Sequence, residues 1–69
     1  MKFADKVRYL REQKGLTQEE LAKLSNISQA AVTHYEKGIR KPSTNTMIQL
    51  AKVLSVDPQE LTDDERSVV

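Results

Sequence analysis

The stretch from Leu16 to Lys37 leaves the chain little choice of local structure, because it contains two helix starts in close succession. Thr17 is placed to cap a helix, and Glu20, three residues on, can return a bond to the cap's own N–H, which makes a capping box. Leu16 before the cap and Leu21 at the fourth helical position form the matching hydrophobic staple. Ser28 caps a second helix, flanked in the same way by Ile27 and Val32. Between the two, Asn26 tolerates the left-handed backbone that a sharp turn requires.

Two stapled helices separated by a turn of a few residues are a helix-turn-helix arrangement. The second helix, about Ser28 to Lys37, has two faces. Val32, Tyr35 and Ala31 point inward with Ile27. Gln29, Ala30, Thr33, His34 and Lys37 are left outside. That outer face is short-chained, uncharged until its end and rich in hydrogen-bonding groups. Such groups suit a DNA major groove, where amides, hydroxyls and small methyls meet base edges. Gln29 can pair bidentately with adenine, and Ala30 and the Thr33 methyl can meet a thymine methyl, with Ser28 as a further candidate. His34 fits three roles, a base contact, a phosphate contact or a plain surface residue, and its position does not choose among them.

Leu16 to Lys37 resembles the phage-repressor (Xre/Cro-like) helix-turn-helix family. The resemblance extends through Leu10-Arg11-Glu12, Gly15-Leu16-Thr17-Gln18-Glu19-Glu20-Leu21-Ala22, Ile27-Ser28, Tyr35-Glu36-Lys37-Gly38, Pro42 and Leu50-Ala51-Lys52-Val53-Leu54, in that order. It covers the chain from about Phe3 to Leu61. One departure is Asn26, where the family usually has Gly. The resemblance implies a bacterial or phage-encoded, cytoplasmic transcriptional regulator, nucleoid-associated when bound and expected to be a repressor. It also implies an ion pair between Arg11 and Glu36 that fixes the second motif helix against the first helix. Gln18, Lys37, Arg40 and Lys41 become the expected phosphate contacts, which supply affinity without sequence information.

The rest of the chain is expected to supply an all-α frame of five short helices in a single domain, residues 1–69. The first runs from about Phe3 to Lys14, with Phe3, Val7 and Leu10 on one stripe, Gly15 ending it, and Arg8 and Tyr9 on the surface. The first motif helix, Gln18 to about Ser25, sends Leu21, Ala22 and Leu24 inward. A fourth helix from Ser43 or Thr44 to Leu54 buries Met47, Leu50, Ala51 and Leu54, with Ile48 on the shoulder. Asp57-Pro58-Gln59-Glu60 carries the cap, the first-position proline and the following acid of a fifth helix. Leu61 closes the core. The residues from Thr62 to Val69 are compatible with fraying and with continued helix.

Composition narrows the function. Sixty-nine residues with no cysteine allow neither a disulfide nor a thiolate metal site. The one histidine, His34, has no metal-ligand spacing around it, and two glycines cannot make a phosphate loop. No catalytic role, metal or cofactor is expected. No apolar run approaches the ~20 residues of a membrane span. The net charge of +1 divides unevenly: residues 1–56 hold ten basic and five acidic residues, and residues 57–69 hold one and five. A basic body with an acidic tail suits a phosphate-facing surface, although ordinary surface charge explains the split equally well.

One such helix reads only a few base pairs, so a homodimer on an inverted-repeat operator is expected. Ile48, Val53, Leu61, Val68 and Val69 are the candidate dimer surface. Two alternatives remain at the level of sequence: an adaptor or antitoxin-like module that binds protein through the same scaffold, and a fragment of a longer regulator.

Overall fold

The computed structural model describes residues 2–61, and the expectations for Thr62 to Val69 lie outside them. Four α-helices follow one another: α1 (Phe3–Gln13), α2 (Gln18–Ser25), α3 (Gln29–Lys37) and α4 (Thr44–Leu54). A 3-10 turn, Pro58–Leu61, completes the described chain. The expected fifth helix is thus a short 3-10 element. Its closing bond runs from Glu60 N–H to Asp57 C=O, three residues back, where an α-helix bonds four back. Asp57 still caps it, accepting from Gln59 N–H through Oδ1 at 2.9 Å.

The helix starts follow from local chemistry. The Thr17 side chain accepts from Glu20 N–H at 3.0 Å while Glu20 Oε1 accepts from Thr17 N–H at 2.8 Å, so the capping box is complete. Ser28 and Ser43 cap α3 and α4 through the N–H groups of Ala31 and Thr46. The helix ends share one device. Leu16, Ile27, Ile39 and Val56 each donate five residues back, to Arg11, Ala22, His34 and Ala51, and the residue before each donates three back. This double bond pattern is the Schellman motif, and it needs a left-handed residue at each end. Two of those residues are not glycine: Asn26 at φ 60° and Ser55 at φ 62°.

α2 and α1 pack on α3, α4 packs on α2, and the 3-10 turn closes against α4 and α1. The core consists of Phe3, Val7, Leu21, Ala22, Val32, Tyr35, Leu50, Ala51, Leu54 and Leu61. Phe3 and Tyr35 meet edge to face with ring centroids 6.2 Å apart. Leu24 does not join the core; it is 60% exposed. On α2 the buried stripe is Leu21, Ala22 and Ser25, and Leu24 lies roughly 100° around the helix from its centre. Leu61 is completely buried, which withdraws it from the candidate dimer surface. Among the described residues, no helix is long and apolar enough to cross a membrane.

Candidate nucleic-acid interface

The solvent face of α3 begins at its cap. Ser28, Gln29, Ala30 and Lys37 are exposed, and Thr33 and His34 are half-buried. Arg40 and Lys41, in the segment after α3, are exposed as well. This face carries no carboxylate. The single acid of α3, Glu36, is turned inward with its side chain only 3% exposed.

A buried carboxylate needs charged and hydrogen-bonding partners, and Glu36 has several. Arg11 reaches it from α1 in a two-pronged contact, Nε to Oε2 at 2.6 Å and Nη2 to Oε1 at 3.1 Å. The third guanidinium nitrogen, Nη1, donates to the Leu16 carbonyl at 2.8 Å, so one side chain ties α1, the segment before α2, and α3. The hydrogen bond to Glu36, with its charge, raises the Arg11 guanidinium above the ordinary arginine value against the opposing effect of burial. Arg8 is half-exposed yet also engaged, donating from Nη2 to the Glu36 carbonyl at 3.3 Å. Reading Arg8 as a plain surface residue missed this contact, because nothing in its position on α1 signals a bond to the end of α3.

Gln18 belongs to the same cluster. Its Nε2 donates to Glu36 Oε1 at 3.0 Å, and its Oε1 accepts from the Thr33 hydroxyl at 3.0 Å. Its side chain therefore bridges the core carboxylate and the outer face of α3. One amide proton remains for an outside acceptor, together with the backbone N–H groups of Gln18 and Glu19, which lack intrahelical partners; the Glu20 N–H is taken by the Thr17 cap. His34 places Nδ1 in an enclosed position with no hydrogen-bond partner in the structure. Ser25 Oγ on α2 is enclosed in the same way. Among the described residues, no group of three or more His, Asp or Glu side chains could hold a metal ion.

Together these elements define a helix-turn-helix unit whose second helix offers an acid-free polar face. Residues 7–61 match the family model HTH_3, described as helix-turn-helix. The chain is 44% identical over 52 residues to an uncharacterized HTH-type transcriptional regulator, y4dJ, of Sinorhizobium fredii, covering 75% of this chain and 68% of that one. It is 35% identical over 65 residues to the cryptic phage CTXphi transcriptional repressor RstR of Vibrio cholerae, covering 94% of this chain and 59% of that one. Among solved structures, it superposes on the restriction-modification controller protein C.AhdI of Aeromonas hydrophila with a TM-score of 0.81 at 41% identity. That match covers 86% of this chain and 89% of the other. The chain belongs to the HTH_3 helix-turn-helix family.

Proposed function

We propose that this protein is a sequence-specific double-stranded DNA-binding transcriptional regulator, and specifically a repressor, that places α3 in the major groove. The observation that carries the reading is the outer face of α3, where Gln29, Ala30, Thr33 and His34 stand free of carboxylates because Glu36 is drawn into the core. Family membership supports it, and the repressor reading follows RstR, which shares 35% identity. Gln29 and Ala30 read base edges with Thr33, and Ser28 and His34 flank them. Lys37, Arg40, Lys41, the free Gln18 amide proton and the α2 N-terminus hold phosphates.

The operator is an inverted repeat read by a homodimer, since one helix spans too few base pairs for a unique site. An apolar cleft of about 270 Å³ lined by Pro42, Met47, Ile48 and Pro58 supports α4 as the dimer surface. Ile48 is 37% exposed there.

The test is selection of bound duplexes from a random DNA pool at two salt concentrations. Enrichment of an inverted repeat, with affinity falling steeply with salt, is the expected result. A single half-site overturns the dimer. Absence of enrichment at low salt overturns DNA reading and favours the protein-binding adaptor. Within the enriched site, Gln29→Ala is expected to lose ~1–3 kcal/mol of discrimination at one or two positions. Arg40→Ala is expected to weaken all sequences alike, and an equal loss at every site from Gln29→Ala disproves the placement of α3.

A further inference from the structure

The cluster around Glu36 determines the direction of one hydrogen bond on the outer face. A carboxylate only accepts. The Gln18 side-chain amide lies 3.0 Å from Glu36 Oε1, so its nitrogen must face that oxygen; reversed, two acceptors would oppose each other. The amide oxygen then faces Thr33, 3.0 Å from Oγ1. An amide oxygen also only accepts, so the Thr33 hydroxyl is the donor and its single proton is engaged. Thr33 keeps only lone pairs and a methyl group for anything that approaches from outside.

We propose that Thr33 is an acceptor-only specificity residue, selecting a base that offers an exocyclic amine, adenine N6 or cytosine N4. Guanine, which presents O6 and N7, and the O4 of thymine are disfavoured at the same position because two acceptors would meet, so the thymine-methyl contact expected of Thr33 from the sequence is given up and left to Ala30. Gln18 is the positioning residue that imposes this polarity. Its neighbours on the face are not so restricted. Gln29 offers both a donor and an acceptor, and Ser28 keeps its hydroxyl proton because its oxygen accepts from Ala31 N–H. The inference rests on α3 reading DNA, and its test separates the two.

Binding profiles from a random duplex pool are compared for the full chain and three variants, each checked for folding by thermal melting. The wild-type profile should contain one position per half-site enriched in adenine or cytosine that depends on Thr33. Thr33→Val, similar in shape but without the oxygen, should flatten that position by roughly two- to tenfold and leave the others in place. Thr33→Ser, which keeps the hydroxyl, should retain the amine preference. Gln18→Leu removes the acceptor, frees the proton and should admit guanine or thymine there. If Gln18→Leu does not fold, the contrast between Thr33→Val and Thr33→Ser decides alone. A Thr33→Val profile identical to wild type, or guanine at the Thr33-dependent position in wild type, overturns the proposal and leaves DNA binding standing. Failure of the wild-type chain to enrich any duplex overturns DNA reading itself, and this proposal with it.

Discussion

At the scale of single residues, Glu36 decides most. A carboxylate on the outer face of α3 would repel phosphate; turned inward, it becomes the point where α1, α2 and α3 meet. Removing its main partner leaves the buried charge with only the Gln18 amide and the Arg8 guanidinium, the latter 3.9 Å away. Arg11→Met is therefore expected to lower stability by about 2–4 kcal/mol, measured by urea unfolding. A loss near zero would mean the pair does not hold α3. The pH dependence has a definite sign. The Arg11 guanidinium is raised in the folded chain, so its contribution is complete below the unfolded arginine value and fades only as pH rises through the folded one. Its share of stability should stay constant from neutrality to about pH 10, a range in which arginine remains charged. The pairing of Arg11 with Glu36 was available from family resemblance. The parts taken by Gln18 and Arg8 were not, since they join residues 18 and 28 positions apart and no local pattern marks them.

At the scale of elements, helix starts were easier to read than helix ends. A cap is made by one side chain and the N–H groups just after it, so Thr17, Ser28 and Ser43 announce themselves. Of the ends, Gly15, Asn26 and Gly38 are recognisable by residue type, but Ser55 is not. It adopts φ 62° because Val56 must reach back to Ala51, and a serine side chain gains nothing from that conformation. Ser55→Gly should raise stability by about 0.5–1 kcal/mol in thermal denaturation; a loss would show that its side chain has a part in the turn. Leu24 makes the complementary case. Its apolar character placed it in the core, yet Ser25 occupies the slot, and Leu24→Gln should change stability by no more than about 0.5 kcal/mol.

At the scale of the whole molecule, the 3-10 turn matters beyond its four residues. Leu61 sits with no exposed surface where the turn meets α1 and α4. Leu61→Ala should cost about 2–5 kcal/mol in urea unfolding. Because Leu61 is not part of the Glu36 cluster, the base preferences of the folded variant should match those of wild type. A changed binding profile would mean that closure of the core also sets the pose of α3.

Local sequence chemistry was enough to read the four α-helices, the turn between α2 and α3, and most of the core, but it made a fifth helix of the 3-10 element Pro58–Leu61. Each depends on chemistry within one helical turn: a cap and its nearest N–H groups, or apolar residues three and four apart. It could not determine which apolar residue of α2 faces inward, how far Leu61 is buried, or that Gln18 stands between Glu36 and Thr33. Those outcomes depend on the distance and angle between helices, and on which side-chain atoms remain unpaired once they pack. The direction of the Thr33 hydroxyl bond is the furthest such consequence, because it follows from a carboxylate on one helix, an amide on another, and the rule that an oxygen able only to accept must be faced by a donor.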